Sequence, residues 1–377
     1  MSLNKKESYS QEDTDELFDK LENDLDKKVI VAIVGQVSTG KSSLLNAIFN
    51  RGRENVLAEV GAESGVTVKT RKFRLGKNVE IMDSPGLGDI KKENSEETRF
   101  ALNDIDVGIL VVSGSADESQ KDHYEELKLY CKKVFVVLNK IDEFDKKKSA
   151  LDKVINQWYK ALDLDTDAKI YPTCTEGYDP DYDEDMDLDI RGVDNLKEDI
   201  LDFLKKYGKD LILAREMEKK SVIAKRIIYS SLVAAAGAAF IPGSAVYITG
   251  IQATAIMSIH YVYTGEILSK KSAIAIIPLF ASQSIGSSLF LVAKSLLPPT
   301  GIVDVAAAGV AVGVTIAMLS TVNWIYENGY NLDDKTEIKD QYNKIFGVLK
   351  DLGLKEVWTI VSSRDKSSLM ALISRFV

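Results

Sequence analysis

The chain has 377 residues, with 48 Lys and Arg against 57 Asp and Glu, and a net charge of -9. That balance argues against a broad nucleic-acid-binding surface, so nucleic acid is not expected as the main partner. Two cysteines, Cys131 and Cys174, are too few for a disulfide framework, and the first 28 residues are densely charged with no apolar signal core, so a reducing cytoplasm is expected.

Residues 8 to 27 read as a charged amphipathic helix with Leu17, Phe18, Leu21 and Leu25 on one face, expected to pack on a later helical domain. Val29 to Val34, VIVAIV, is a continuous apolar and mostly β-branched run, the pattern of a strand buried on both faces of a parallel sheet. A helix is expected from Lys41. Between them Gly35 and Gly40 frame G-x-x-x-x-G-K-S, in which small residues let successive backbone N–H groups converge on an anion. Gly35, Ser38, Thr39, Gly40, Lys41, Ser42 and Ser43 are therefore expected around a phosphate chain, with Lys41 on the β- and γ-phosphates and Ser42 on Mg²⁺.

The stretch GAESGVTVKTRKF offers Thr67 and Thr70 as a Mg²⁺-sensing threonine, and Thr67 is favoured because Val68 to Leu75 reads as the strand that should follow. VEIMDSPGLGD gives a strand ending near Asp83, whose carboxylate is expected to hold Mg²⁺ through water, and Gly86, whose amide is expected to sense the γ-phosphate. VFVVLNKID gives another buried strand, running into Asn139, Lys140 and Asp142. A carboxylate at Asp142 accepts from both N1–H and the 2-amino group of guanine, donors that adenine lacks. GTP, rather than ATP, is the expected nucleotide.

These motifs, in this order, resemble the G domain of the translation-factor-related GTPases, Era-like branch, over residues 29 to about 207. The resemblance implies a mostly parallel α/β sheet, GTP and GDP binding with Mg²⁺, and GTP hydrolysis. It also places Thr173 and Cys174, in YPTCTEG, beside the guanine and makes RGVDNLKEDILDFL the closing helix. Lys41, Thr67 and Gly86 are the residues it makes catalytic. Leu87 stands where Ras-like enzymes carry a water-orienting glutamine, so unstimulated turnover is expected to be slow. The Era-like branch is similar in having a hydrophobic residue there, with the site often completed by a partner subunit or a monovalent cation. Ser38 replaces the asparagine of potassium-dependent members and looks more like the dynamin family's phosphate loop, which favours a G-domain homodimer as the stimulus. Asp89 and Glu93 are further switch candidates. His123 is read as a surface histidine, and the acidic run Asp179 to Asp189 as a solvated insertion.

The charge pattern changes after residue 208. A charged helix is expected from Lys209, KDLILAREMEKKSVIAKRII, pairing with the N-terminal helix. No Asp, Glu, Lys or Arg then occurs between Ile227 and Gly265, between Ser272 and Ala293, or between Val305 and Tyr326. Each run is long enough to cross a bilayer, yet is rich in Ala, Gly and Ser, and GVAVG, Gly309 to Gly313, suits close helix packing in lipid or in a soluble bundle. A helical hairpin pair that inserts into or lies on a membrane is the leading expectation, with a soluble all-helical core as the alternative. The region from about 225 to 330 resembles the domain of unknown function of YcjF-family inner-membrane proteins, and the whole plan is similar to immunity-related GTPases. The chain thus divides, on this reading, into a helix at 1–28, a G domain at 29–207 and a helical domain at 208–377, whose partner is a membrane or a helical protein. His260, beside Tyr261 and Tyr263, suits an interfacial position, and Asp333 to Val377 reads as amphipathic helix packing back on the same domain.

Overall fold

The structure is a computed structural model that describes residues 10–58, 71–84, 104–165, 168–178, 187–238, 244–281 and 302–377. It forms two compact units, Asp26–Glu218 on the one hand and Met1–Leu25 with Lys219–Val377 on the other.

The first unit is built on a six-stranded, mostly parallel sheet flanked by helices. Its strands are β1 (Val29–Val34), β2 (Arg71–Leu75), β3 (Val79–Ser84), β4 (Ile105–Ser113), β5 (Cys131–Asn139) and β6 (Ile170–Pro172), in the order β2-β3-β1-β4-β5-β6. β2 runs antiparallel to β3, and the other neighbours are parallel. The helices α2 (Lys41–Ile48), α3 (Gln120–Tyr130), α4 (Lys148–Ala161), α5 (Val193–Lys205) and α6 (Asp210–Met217) belong to this unit, and α1 (Gln11–Leu25) to the other. Helices covering both faces of a parallel sheet leave no strand face for water, which is why β1, and β4 from Val107 to Val112, carry no alternating polar positions. Leu110, Val112, Leu138 and Trp158 lie in the core on one side.

Parallel order places the carboxyl ends of β1, β3, β4 and β5 along one edge of the sheet. The phosphate-loop sequence, Asp83 and the Asn139–Asp142 loop all follow from that edge. A further two-stranded hairpin, β7 (Cys174–Glu176) with β8 (Asp189–Arg191), extends the same rim.

The opposite edge carries a buried charge cluster. Asp106, fully buried on β4, accepts from Lys132 Nζ at 2.6 Å, from Lys209 Nζ at 2.8 Å and from the Ile30 amide at 3.1 Å. The single helix expected from Lys209 is instead two: Glu218, with φ -133° and ψ 162°, is extended and ends α6. α7 (Lys220–Ala238) begins the second unit.

That unit comprises α1, α7, α8 (Ser244–Thr264), α9 (Lys270–Ala281), α10 (Ile302–Glu327), α11 (Lys335–Leu352), α12 (Leu354–Ser363) and α13 (Lys366–Ile373). The central member is α10, packed by α7, α8, α11 and α12, with Ile316, Ala317, Met318 and Leu319 at 0% exposure. A Cβ on Gly309 would stand 2.6 Å from the Leu354 carbonyl oxygen, so this half of the Gly309–Gly313 spacing serves the approach of α12. Among the described residues, two helical stretches, Lys220–Ala238 and Gly309–Glu327, are long and apolar enough to cross a membrane, and most of the second is buried inside the unit.

α1 packs chiefly along α8 rather than along the helix leaving the G domain. Phe18 is buried with Ala253, Met257 and Ala273, and Lys270 Nζ lies 2.5 Å from Asp15 Oδ1 and 4.8 Å from the Phe18 ring centroid.

Candidate functional site

β1 delivers Gly35 to the carboxyl edge of the sheet, and the chain turns through Gln36, Val37, Ser38 and Thr39 into α2. Space dictates both glycines: a Cβ on Gly35 would lie 2.1 Å from the Val111 carbonyl oxygen, and one on Gly40, at φ +85°, 2.3 Å from Asn139 Nδ2. Ser38 adopts φ +65° without being glycine, a strained conformation of the kind found where a loop is shaped for a ligand.

Lys41 opens α2 and folds back over the loop, donating to the Gly35 carbonyl at 2.8 Å and the Gln36 carbonyl at 2.9 Å. Burial pulls its ammonium below the usual lysine range, and the charge of Asp83 opposes the shift. An anion at the loop would relieve that same desolvation. Thr39 is buried and caps the turn by donating from Oγ1 to the Gln36 carbonyl at 2.9 Å. Ser42 and Ser43 lie half-buried in the first turn of α2, and Asp83 is 1% exposed near the end of β3. A serine hydroxyl and a carboxylate are hard oxygen donors, so this pair fits Mg²⁺ chemically.

The second loop is tied to the first through one side chain. Asn139, 1% exposed at the end of β5, donates from Nδ2 to the Thr39 carbonyl at 3.2 Å and to Thr175 Oγ1 at 3.1 Å. Its Oδ1 accepts from Thr173 Oγ1 at 3.0 Å and Thr175 Oγ1 at 3.2 Å. Lys140 takes φ +62° at the entrance to a 3₁₀ turn, Ile141–Phe144, that carries Asp142, and the Ile141 amide donates to the Thr173 carbonyl at 3.1 Å. Cys174 is buried beside them, its thiol pushed up to about 12 by burial first and by neighbouring Asp142 among the lesser causes.

The structure thus brings Gly35 to Ser43, Asn139 to Asp142 and Thr173 to Thr175 to one rim, with Asp83 beside Lys41. Thr67, Thr70, Gly86, Leu87, Asp89 and Glu93 lie outside the described residues.

Three further residues, none at a fixed motif position, organise this rim. Gln36 Nε2 donates to Asp117 Oδ2 at 2.9 Å, fastening the phosphate loop to the segment after β4. Asn46 donates to the Ala58 carbonyl at 2.8 Å and accepts from the Leu57 and Ala58 amides, holding the segment that leads toward Thr67. Arg191 on β8 reaches Asp145. None of these residue types is unusual in sequence. The one signal available was position: Gln36 is the first variable residue of the G-x-x-x-x-G-K-S pattern and Asn46 follows it within α2.

Residues 30–140 match the model of the family described as 50S ribosome-binding GTPase. The nuclear GTP-binding protein NUG1 of Saccharomyces cerevisiae is 35% identical over 66 residues, 17% of this chain and 13% of that protein. The GTPase Der of a Nitratiruptor species is 33% identical over 120 residues, 30% of this chain and 25% of that protein. The chain therefore spans at most a quarter of the length of these two relatives. Among solved structures, Toc33 of Arabidopsis thaliana with GDP and Mg²⁺ is 19% identical, covering 53% of this chain and 93% of that one at a TM-score of 0.33. The family match and the site together define a GTP-binding GTPase domain.

Proposed function

We propose that the protein is a GTP-hydrolysing switch in which the nucleotide state of the G domain governs self-association or membrane association of the helical unit. The observation that carries the nucleotide half of this reading is Asn139, one buried side chain bonded to the phosphate loop at Thr39 and to the base-side loop at Thr173 and Thr175. A molecule that occupies both loops at once is a nucleotide with its base at one end and its phosphates at the other.

In this reading the backbone amides from Gly35 to Gly40 and the Lys41 ammonium hold the phosphates, and Lys41 exchanges its two carbonyl partners for phosphate oxygens. Asp142 reads guanine, with Thr173 and Cys174 at its side. Ser42, Asp83 and Thr67 would hold Mg²⁺. When bound, that ion neutralises charge that develops on the transferring phosphoryl group. The protein's own part is to cradle the phosphates, exclude water around them and orient the reacting oxygens through fixed amides. Gly86 lends its amide to the γ-phosphate, and Leu87 offers no hydrogen bond to water, which supports slow turnover until a second G domain completes the site.

The domain assignment proposed here keeps the G domain at 29–207, with α6 in the same compact unit, and treats α1 and the helices from α7 onward as the responding part. Burial of α10 within the helical unit supports a packed bundle over a spanning hairpin. It also favours a surface response, docking of copies or lying on a bilayer, over threading through one. The YcjF-like resemblance bears on the same region and is compatible with either response.

The test is single-turnover GTP hydrolysis at low and high protein concentration, followed by liposome flotation with GDP, with a non-hydrolysable GTP analogue and without nucleotide. Acceleration with concentration supports the homodimer, and GTP-dependent flotation supports the membrane response. Turnover independent of concentration, with no flotation in any state, overturns the switch reading and leaves a constitutive GTP-binding scaffold.

A further inference from the structure

The base-side rim holds a cluster that the nucleotide motifs do not account for. The β7–β8 hairpin pairs Cys174 with Arg191 and Glu176 with Asp189 across its ladder. From β8 the Arg191 guanidinium reaches Asp145 with both arms, Nη1 to Oδ1 and Nη2 to Oδ2, each at 2.9 Å. Nη2 also stands 2.9 Å from Asp189 Oδ2. Asp145 is no random neighbour: its amide donates to the Asp142 carbonyl at 3.1 Å, so both carboxylates ride on one 3₁₀ turn. Arg191 stands opposite Cys174 in the ladder, and the Cys174 thiol neighbours the Asp142 carboxylate.

The turn that carries Asp142 is therefore held at two ends. Its inner end is fixed in the core by Asn139 and by the Ile141 amide on the Thr173 carbonyl. Its outer end is fixed by Arg191 on Asp145. Cys174, Glu176 and Asp189 also present ligand atoms within 4.8 Å of one another, but Arg191 lies against both Asp189 and Cys174 and supplies the positive charge that a cation would bring.

We propose that Arg191 is a positioning residue for base recognition: it fastens the turn carrying Asp142 to the strand carrying Cys174 and so sets the aim of the Asp142 carboxylate at guanine. The inference rests on the reading of Asp142 as the guanine-selecting group. A planar guanidinium that meets a carboxylate in parallel bonds fixes orientation as well as distance, which an ammonium cannot do. Arg191 and Asp145 are 39% and 54% exposed at the side chain, so their pairing adds little to global stability and its loss should register in discrimination rather than in folding.

The experiment is equilibrium titration of fluorescent GDP and IDP into the full chain and into Arg191→Ala, Arg191→Lys, Asp145→Asn and the Arg191→Ala/Asp145→Asn double variant. Inosine keeps N1–H but lacks the 2-amino group, so the ratio of the two affinities reports how well Asp142 is aimed. Arg191→Ala is expected to weaken GDP about fivefold and IDP by less, which narrows the ratio. Arg191→Lys should behave nearly as Arg191→Ala, and the double variant should be no worse than either single change. Raising salt should narrow the ratio in the wild type and leave it unmoved in the variants. If Arg191→Ala lowers the melting temperature sharply, Asp145→Asn, which keeps shape and removes only charge, carries the test. A ratio unchanged in every variant, with both affinities lowered equally or not at all, overturns the proposal. A wild-type chain that fails to prefer GDP over ADP and IDP overturns the underlying reading of Asp142 instead.

Discussion

Asn139 and Thr39 stand 100 positions apart in the chain, and the Asn139 amide donates to the Thr39 carbonyl oxygen at 3.2 Å. The same side chain serves the hydroxyls of Thr173 and Thr175. Replacing it by alanine leaves a carbonyl and two hydroxyls without a partner in a site closed to water. Asn139→Ala is expected to cost about 2 kcal/mol of stability without nucleotide. It should also weaken GDP by more than about tenfold, because both loops lose their common anchor. Urea unfolding and GDP titration on one preparation measure the two effects, and a variant with wild-type GDP affinity would rule out the bridging role.

Asp142→Asn exchanges an acceptor for a group that presents an amide. The variant is expected to lose guanine preference and gain xanthosine triphosphate, whose 2-oxo group accepts what asparagine donates. Lys41→Ala should lose both nucleotides together, since it acts on phosphate and not on the base. Competition of the two triphosphates for each variant separates these effects. Equal GTP affinity in wild type and both variants would remove the site assignment altogether.

How far the site was legible in sequence follows from how local its determinants are. The strand, loop and helix around Gly35 to Ser43 announce themselves because β-branched residues, small residues and Lys41 fall within one short run. β5 and its Asn139–Asp142 loop are legible for the same reason. Arg191 was not, because its role depends on the register that sets it opposite Cys174, and strands of three residues separated by an acidic stretch carry no periodicity. The break between α6 and α7 was missed because charges and apolar residues continue across it while just two residues, Glu218 and Lys219, leave the helix. The apolar run in α10 was ambiguous in principle: length and composition do not distinguish a bilayer from a bundle core, and here Phe346 and Trp358 on neighbouring helices belong to the cluster that buries it.

Asp106 makes a different kind of prediction. It is fully buried, with Lys209 and Lys132 as charged partners at 13% and 34% side-chain exposure. Removing the carboxylate strands two ammonium groups in a site built around its charge. Asp106→Ala is expected to destabilise the G domain by about 3 kcal/mol, which is the range for breaking one side of a buried pair. Thermal unfolding of the nucleotide-free chain reads this directly. A loss below about 1 kcal/mol would mean that the lysines relax into solvent at little cost.

α1 offers an internal control on what holds the helical unit. Phe18 is 1% exposed and packs against Ala253, Met257 and Ala273, whereas Asp15 meets Lys270 at a solvated edge. Phe18→Ala is expected to cost about 3 kcal/mol. Asp15→Asn should be neutral within error, since the ion pair is screened. Chemical denaturation of the two variants compares them, and a larger effect at Asp15 than at Phe18 would mean that charge, and not apolar burial, seats this helix.

His260 predicts how the helical unit responds to acid. It sits near the end of α8 with Nδ1 2.6 Å from the Tyr326 hydroxyl, the tautomer setting which of the two donates. Burial disfavours the imidazolium, so the folded-state pKa lies below the ordinary 6.5, with Glu266 acting in the opposite direction. Between that depressed value and 6.5 the unfolded chain binds more protons than the folded one. Stability contributed by the neutral imidazole is therefore fully present above 6.5 and is lost as pH falls through the window. The melting temperature should drop between pH 7.5 and pH 5 in the wild type, and His260→Gln, which retains a side-chain partner for Tyr326, should flatten the part of that slope due to this residue. Every other group is common to both chains, so the difference between the two melting curves isolates His260. Parallel curves over that range would mean that the imidazole is solvated well enough to charge without penalty.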